Sequence, residues 1–147
     1  KQIASFPTSV GGLIISKTDH LAQEDALRIN WTSGDETRYS PSEDGDYFRI
    51  STDQPDNMIR QSNGAMKLAF NAKSFSASNE KIQIGQCDIN LDCNQTLEIE
   101  INNEWTEYMI SLKDFESLGI DMSSITSSIL IKANSGVDIG ISNIRLE

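Results

Sequence analysis

The amino-acid sequence predicts an all-β protein, an antiparallel β-sandwich of the jelly-roll kind. Short segments in which apolar and polar residues alternate recur along the chain, and a period of two is typical of half-buried strands. Loops rich in Gly, Pro, Asn and Asp separate these segments, as in a protein built from hairpins. Only Lys113–Leu118 has a helical period. Eight or more short strands without substantial helix favour a sandwich or jelly roll.

The clearest strand is the segment Leu27-Arg-Ile-Asn-Trp31. Its two aliphatic residues and its tryptophan have one parity, and Arg28 and Asn30 have the other. We therefore assign Trp31 to the core together with its aliphatic neighbours. The other side of the strand carries groups that donate hydrogen bonds and, in Arg28, a planar group that can stack.

Further strands follow the same pattern along the chain. The predicted strands are Leu13–Ile15, Leu27–Trp31, Tyr47–Ser51, a brief one at Met58–Ile59, Ala65–Asn71, Lys81–Cys87, Leu97–Ile101, Thr106–Leu112, Ser128–Ala133 and Val137–Leu146. A long polar loop is predicted from Thr32 to Asp46. The chain has 147 residues with no visible repeat or linker, so a single domain covering residues 1–147 is predicted.

Charge limits the kinds of ligand that the protein binds. The net charge is −10, which disfavours nucleic acid, anionic lipid headgroups and polymers rich in sulfate or uronate. No apolar run approaches the roughly 18 residues that cross a bilayer, and we expect no membrane association. The first residues are Lys1-Gln2 rather than Met, which suggests a mature fragment or a module of a longer chain. A neutral ligand fits this composition best.

The two cysteines, Cys87 and Cys93, are close in sequence. They can form a small disulfide loop or remain free thiols, because CxxC spacing and further cysteines for a metal site are absent. We favour the disulfide, which implies an oxidising, extracytoplasmic setting. Such a short loop would add about 2 kcal/mol of stability in the chain-entropy description.

Catalytic constellations are weak in this sequence. His20 is the only histidine and no GxSxG elbow occurs, so a nucleophilic triad has no support and His20 is interpreted as a surface residue. Glu98 and Glu100 share one face of a predicted strand about 6.5–7 Å apart, within the range for glycosidase carboxylates. Outward glutamates on a strand are more typical of a solvated surface. We therefore predict that the chain is not an enzyme.

No cofactor is required, although a structural calcium ion is conceivable. Three groups of oxygen-bearing residues could approach a cation: Ser42–Asp46; Asp88, Asn90 and Asp92; and Glu24, Asp25 and Asp138, if the strands near the two ends of the chain pair. None of them matches an EF-hand loop. Acidic loops that favour solubility explain the same residues.

Outward polar and aromatic residues suggest a sugar site. Sugars present flat CH faces and many hydroxyls, so an aromatic platform beside amide, carboxylate and guanidinium groups suits them. Tyr39, Tyr47 and Trp105 are the candidate aromatics. The outward polar residues have the matching composition, but an ordinary polar sheet face has it equally.

Four strings in the second half and near the start of the chain carry a family resemblance. They are Asp25–Trp31, Trp105–Phe115, Gly119–Met122 and Asp138–Leu146. The chain resembles the C-terminal galactose-binding-like module of bacterial exo-β-glucanases of glycoside hydrolase family three, and more broadly the jelly-roll carbohydrate-binding modules of secreted polysaccharide-degrading enzymes. The resemblance spans roughly residues 21–146 and indicates the fold better than the ligand. That module is also similar in having two close cysteines, with a narrower spacing.

The resemblance implies a non-catalytic carbohydrate-binding module of a secreted bacterial enzyme. We expect a monomer, covalently linked to a catalytic domain, that binds a neutral polysaccharide, either a β-glucan or a neutral galactan such as agarose, and concentrates the enzyme on it. The alternative is a structural domain that braces the catalytic domain without binding sugar. The predicted ligand residues are Arg28, Asn30, Tyr47 and Arg49 at the centre of one polar face, with Lys67, Asn71, Gln83 and Glu98 beside them.

Overall fold

A computed structural model describes residues 8–10, 13–31, 47–90, 93, 95–134 and 136–147. Within these ranges the strands are β1 (Thr8–Val10), β2 (Leu13–Thr18), β3 (Ala26–Trp31), β4 (Tyr47–Asp56), β5 (Lys67–Ser74), β6 (Glu80–Asp88), β7 (Thr96–Ile101), β8 (Thr106–Ser111), β9 (Ile125–Lys132) and β10 (Asp138–Leu146), and the helices are α1 (Ile59–Asn63) and α2 (Leu112–Glu116). Neither of these helices is long and apolar enough to cross a membrane.

The strands form two antiparallel sheets. The larger sheet has six strands in the order β1-β2-β3-β10-β5-β8, and the smaller has four in the order β4-β9-β6-β7. Every strand pair between described residues is antiparallel. The predicted all-β antiparallel sandwich is therefore confirmed.

The core lies between the inner faces of the two sheets. Ile29 and Trp31 from β3 and Ile84 and Ile129 from the smaller sheet are all fully buried and belong to one apolar cluster. The assignment of Trp31 to the core by its parity is thus confirmed. Because both sheets contribute to one cluster, each strand is left with an outer face on which polar residues can point away from the core.

The short segment after β4 is helical, so the brief strand predicted at Met58–Ile59 is wrong. Two residues are too few for alternation to distinguish a strand from a helix. Met58 is buried at 5% exposure and its backbone N–H donates to the carbonyl of Met122 at 2.6 Å. The side-chain oxygen of Asn57 accepts from the N–H of Ile59 at 3.0 Å, a local turn that leads into α1, whose N-cap residue Met58 forms no side-chain cap bond.

The second helix begins one residue earlier than the predicted span Lys113–Leu118. Leu112 was assigned to the preceding strand, but it is the first residue of α2 and is fully buried. The hydroxyl of Ser111 accepts from the N–H of Lys113 at 3.2 Å, the usual role of an N-cap serine. The long loop predicted at Thr32–Asp46 lies outside the described residues.

Cys87 and Cys93 form a disulfide, with Cα atoms 4.6 Å apart. Cys87 is fully buried at the end of β6, so the bond ties the following loop to the smaller sheet. Gly85 of β6 lies opposite Thr96 of β7 in the register, and a Cβ atom on Gly85 would lie 2.5 Å from the backbone carbonyl oxygen of Gln95. The disulfide and this close approach therefore place Cys93 and Gln95 next to β6.

We expect Ile29→Ala to lower the free energy of unfolding by about 2–5 kcal/mol, because it opens a cavity in the shared core. Urea denaturation followed by circular dichroism measures this change. Leu21→Ala is the control, since Leu21 is 86% exposed and its truncation should change stability by no more than about 0.5 kcal/mol. Equal effects of the two substitutions would contradict this description of the core.

Candidate functional site

The predicted ligand residues lie on opposite faces of the sandwich, so the prediction of one polar face is wrong. The larger sheet carries Arg28, Asn30, Lys67 and Asn71, and the smaller sheet carries Tyr47, Arg49, Gln83 and Glu98. Alternation shows which residues of a strand point away from the core, but it does not show to which sheet the strand belongs. Whether each residue binds a ligand stays a prediction.

The outer face of the larger sheet carries an aromatic cluster at Gly140. This glycine of β10 lies between Arg28 of β3 and Lys73 of β5 in the strand register. A Cβ atom on Gly140 would lie 2.8 Å from Cη2 of Trp105 and 3.0 Å from Cε2 of Phe75. Both rings therefore lie directly on the sheet backbone, and the absence of a side chain at Gly140 allows them to do so.

His20 extends the aromatic cluster on the other side of Trp105. The two ring centroids are 4.2 Å apart with their planes tilted by 35°. His20 is half-buried rather than the plain surface residue that was predicted. We call the surface formed by His20, Phe75, Trp105, Arg28 and Asp138 the aromatic face. Its three rings keep part of their area exposed to solvent.

The loop that carries His20 is held by the carboxylate of Asp25. This carboxylate accepts from the backbone N–H groups of His20 at 2.6 Å and of Leu21 and Ala22 at 3.0 Å each. Desolvation alone would raise the pKa of Asp25, but the backbone donors together outweigh it, so that pKa lies below its ordinary value. The loop is thus organised by its own hydrogen bonds, and its position beside Trp105 follows from them.

An ion pair borders the aromatic face. Nε of Arg28 donates to Oδ1 of Asp138 at 3.0 Å and Nη2 donates to Oδ2 at 2.6 Å. This bidentate pair raises the pKa of Arg28, mainly through the hydrogen bond to Asp138. The guanidinium carbon lies 4.2 Å from the ring centroid of Phe75, and the ammonium group of Lys73 lies 5.3 Å from it. Arg28 is therefore both neutralised and stacked.

Phe75 is absent from the predicted site residues and Asp138 was predicted only as a candidate cation ligand, although the sequence contains a signal for Phe75. Asn71 and Lys73 point outward from β5, and Phe75 is the next residue in that alternation. It lies one residue beyond the strand's last residue, Ser74. The N–H of Phe75 donates to the backbone carbonyl of Asp138 at 2.9 Å. This bond keeps Phe75 aligned with β10, so the parity of β5 still decides where its ring lies.

The acidic residues proposed to meet near the paired strands do not meet. The register places Asp138 opposite Asn30, which is five residues, or about 16 Å, along the strand from Asp25. Asp138 binds Arg28, and Asp25 binds the backbone of its own loop. In the described ranges, no group of three or more His, Cys, Asp or Glu residues is arranged to hold a metal ion.

The other calcium candidates fall partly or wholly outside the described residues. Asp88 is buried, and its carboxylate accepts from the N–H groups of Asn90 at 3.0 Å and Asp121 at 2.8 Å. These bonds give Asp88 a structural role that links two loops. Asp92 and the segment Ser42–Asp46 are not described, and a calcium site there stays a prediction.

The outer face of the smaller sheet carries a row of polar residues. Tyr47, Lys132, Gln83 and Glu98 are neighbours across four strands in the register. The amide of Gln83 donates to Glu98 at 3.3 Å and accepts from the hydroxyl of Thr96 at 2.9 Å. Both ends of this amide already have protein partners, so the row has the features of an ordinary solvated sheet face.

The remaining predicted residues of that face are also engaged within the protein. The Arg49 guanidinium lies 5.7 Å from the ring centroid of Tyr47 and donates to the sulfur of Cys93 at 4.0 Å. Glu98 lies 3.8 Å from the ammonium group of Lys81, and Glu100 accepts from Asn79 at 3.2 Å. The two glutamates considered as an acid–base pair are thus exposed residues that already have side-chain partners within the protein.

The two antiparallel sheets form a β-sandwich of the galactose-binding-like class. A family model described as Exop_C, galactose-binding domain-like, matches residues 1–146. The chain belongs to this family, which confirms the resemblance noted from its sequence strings. Among curated proteins, none matches the chain significantly.

Several solved structures share the fold at low sequence identity. The family 30 carbohydrate-binding module of the cellulosomal cellulase Cel9D-Cel44B of Clostridium thermocellum is 15% identical with a TM-score of 0.65, over 95% of this chain and 84% of that one. The extra C-terminal domain of the exo-1,3/1,4-β-glucanase of a Pseudoalteromonas species is 14% identical with a TM-score of 0.59, over 92% of this chain and 70% of that one.

An exo-β-agarase also contains this fold, at 15% identity and a TM-score of 0.62. The match covers 92% of this chain but only 22% of the agarase. This chain therefore corresponds to about a fifth of the length of that agarase.

We expect Gly140→Ala to displace the rings of Trp105 and Phe75, because the added methyl group would lie within 3.0 Å of both. The cost in folding free energy should be about 1–3 kcal/mol, and the fluorescence of Trp105 should change. Trp31 is fully buried and should contribute a constant signal. In a Trp105→Phe background the same substitution should leave the emission unchanged. Unaltered emission from Gly140→Ala alone would contradict the close approach.

Proposed function

We propose that the chain is a non-catalytic carbohydrate-binding module that binds a neutral polysaccharide on its aromatic face. The observation that carries this proposal is the position of Trp105 and Phe75 directly over Gly140. Aromatic rings fixed on a sheet provide a flat apolar surface for the CH face of a sugar ring. Arg28, Asp138 and the neighbouring Asn30 supply hydrogen-bonding groups at the edge of that surface.

The charges of the aromatic face favour a neutral glycan. Arg28 is paired with Asp138 through two hydrogen bonds, so its positive charge is compensated before any ligand arrives. The chain as a whole carries a net charge of −10, which repels uronate and sulfate groups. Sugar hydroxyls need donors and acceptors rather than a net charge, and the paired groups retain both kinds.

The setting of the proposed module is a secreted bacterial enzyme. The matched solved structures include a module of a cellulase and parts of an agarase and a glucanase, and these names suggest a β-glucan or agarose as ligand. A disulfide between Cys87 and Cys93 suits an oxidising environment. The module would be a monomer linked to a catalytic domain and would raise the local concentration of that domain on its substrate.

Affinity should be modest. An open sheet face buries only part of a glycan, and each hydroxyl that binds protein gives up a hydrogen bond to water. Dissociation constants from about 1 μM to 1 mM are expected for such a surface.

We expect Trp105→Ala to weaken glycan binding at least about tenfold, since it removes the central ring of the platform. Affinity electrophoresis through gels containing laminarin, hydroxyethyl cellulose or agarose measures the retardation of each variant. Tyr47→Ala is the matched control, because Tyr47 is an exposed aromatic residue on the opposite sheet. It should migrate like the unmodified protein.

Two outcomes would overturn the proposal. Absence of retardation of the unmodified protein on every neutral glycan would favour the alternative of a structural domain that braces a catalytic domain. Loss of binding in Tyr47→Ala with full binding in Trp105→Ala would move the site to the smaller sheet.

A further inference from the structure

A cavity of about 440 Å³ lies on the larger sheet next to His20. Ser142 of β10, Asn71 of β5 and Glu107 of β8 are neighbours in the register and form part of its lining. Adjacent strands are about 4.8 Å apart, so these three side chains present an ordered set of polar groups. Their spacing is close to the width of a sugar ring.

Two of these lining residues have unused hydrogen-bonding capacity. Within the part of the chain that the structure describes, the amide of Asn71 and the hydroxyl of Ser142 have no protein partner, although both are at least half-buried. Neither group is among the described polar atoms that are shielded from solvent without a partner, so water can bind both groups and a ligand hydroxyl can replace that water. An amide can donate and accept at once, which is the pattern that vicinal sugar hydroxyls require.

Glu107 provides an anchored acceptor on the opposite side of the cavity. Its carboxylate pairs with the guanidinium group of Arg145, which also donates to Glu147 at 2.9 Å. These bonds raise the pKa of Arg145, with Glu147 as the largest cause and Glu107 as a further one. The ion pair fixes the orientation of Glu107 and leaves further lone pairs for hydroxyl donors.

The loop around His20 forms the other wall. His20, Leu21 and Asp25 line the cavity, and the carboxylate of Asp25 holds the backbone of the first two. Leu21 is 86% exposed, so an apolar side chain stands at the rim, where it can cover the CH groups of a bound ring. His20 also stacks on Trp105, and the cavity therefore continues directly into the aromatic face.

We propose that this cavity is a further subsite, adjoining the aromatic face, that takes one ring of a neutral glycan, and that the glycan then continues over Trp105 to the Arg28–Asp138 pair. This inference rests on the proposed function. Ser142 and Asp138 are four residues apart in β10, about 13 Å. If each ring occupies about one strand spacing of 4.8 Å, this length holds about two or three rings, and the ligand is recognised as a di- or trisaccharide unit of a single glycan strand.

The length dependence of binding tests the extent of the site. Isothermal titration with laminari-, cello- and agaro-oligosaccharides of increasing length measures it. Among these three series, the affinity of whichever oligosaccharide binds should increase with its length up to about three sugar rings. Longer oligosaccharides of the same series should bind with the same affinity as the trisaccharide. A continued rise through six rings, or binding to insoluble polymer alone, would overturn the inference.

Asn71→Ala tests the subsite itself. We expect it to weaken binding of the trisaccharide about tenfold through loss of the amide contacts. Gln83→Ala is the matched control, because Gln83 is also a half-buried strand amide but lies on the other sheet, and it should leave affinity unchanged. Leu21→Ala should weaken binding about threefold without changing the stability of the protein. A loss of affinity in this variant therefore cannot be attributed to misfolding.

The subsite and the proposed function fail in different ways. If Trp105→Ala loses binding while Asn71→Ala and Leu21→Ala keep full affinity for every oligosaccharide, the aromatic face binds sugar and the cavity does not. If the unmodified protein binds no oligosaccharide and no polysaccharide, the proposed function itself is refuted.

Discussion

The close approach of two aromatic rings to the backbone of Gly140 is the constraint on which the larger sheet's outer face depends. Any side chain at this position would collide with Trp105 and Phe75. Because the ring of Trp105 lies against the backbone of Gly140, His20 can stack on that ring from one side. Arg28 reaches the ring of Phe75 while still forming two bonds to Asp138. The absence of a side chain at Gly140 thus permits an arrangement that involves two strands, β3 and β10, and three loops.

Strands β3 and β10 connect this surface to the core. Ile29 and Ile139 are opposite each other in the register and both are fully buried, while Arg28 and Asp138 point outward beside them. The apolar side provides the hydrophobic stabilisation that fixes the register, and the register decides which outward groups can meet. The ion pair under the proposed ligand is therefore positioned by the same packing that stabilises the fold.

Alternation predicted most of the strands and the inward position of Trp31, because burial on one face imposes a period of two on each strand. It could not assign strands to sheets, and so it combined Arg28 and Tyr47 in one site although they lie on opposite faces. The role of His20 depends on a loop that contacts a ring 85 positions later in the chain, and no local pattern contains that information. At Met58–Ile59 the segment was too short for its period to be informative.

The loop held by Asp25 combines a backbone of fixed shape with an exposed side chain at its tip. Three backbone amides bind one carboxylate, so the loop keeps its shape through main-chain groups that nearly every residue type possesses, and the side chain of Leu21 extends into solvent. Substitutions at this tip are nearly neutral for folding but change what borders the sheet. Replacing the exposed residue at this tip is therefore a route to a different surface beside the sheet that leaves the core packing as it is.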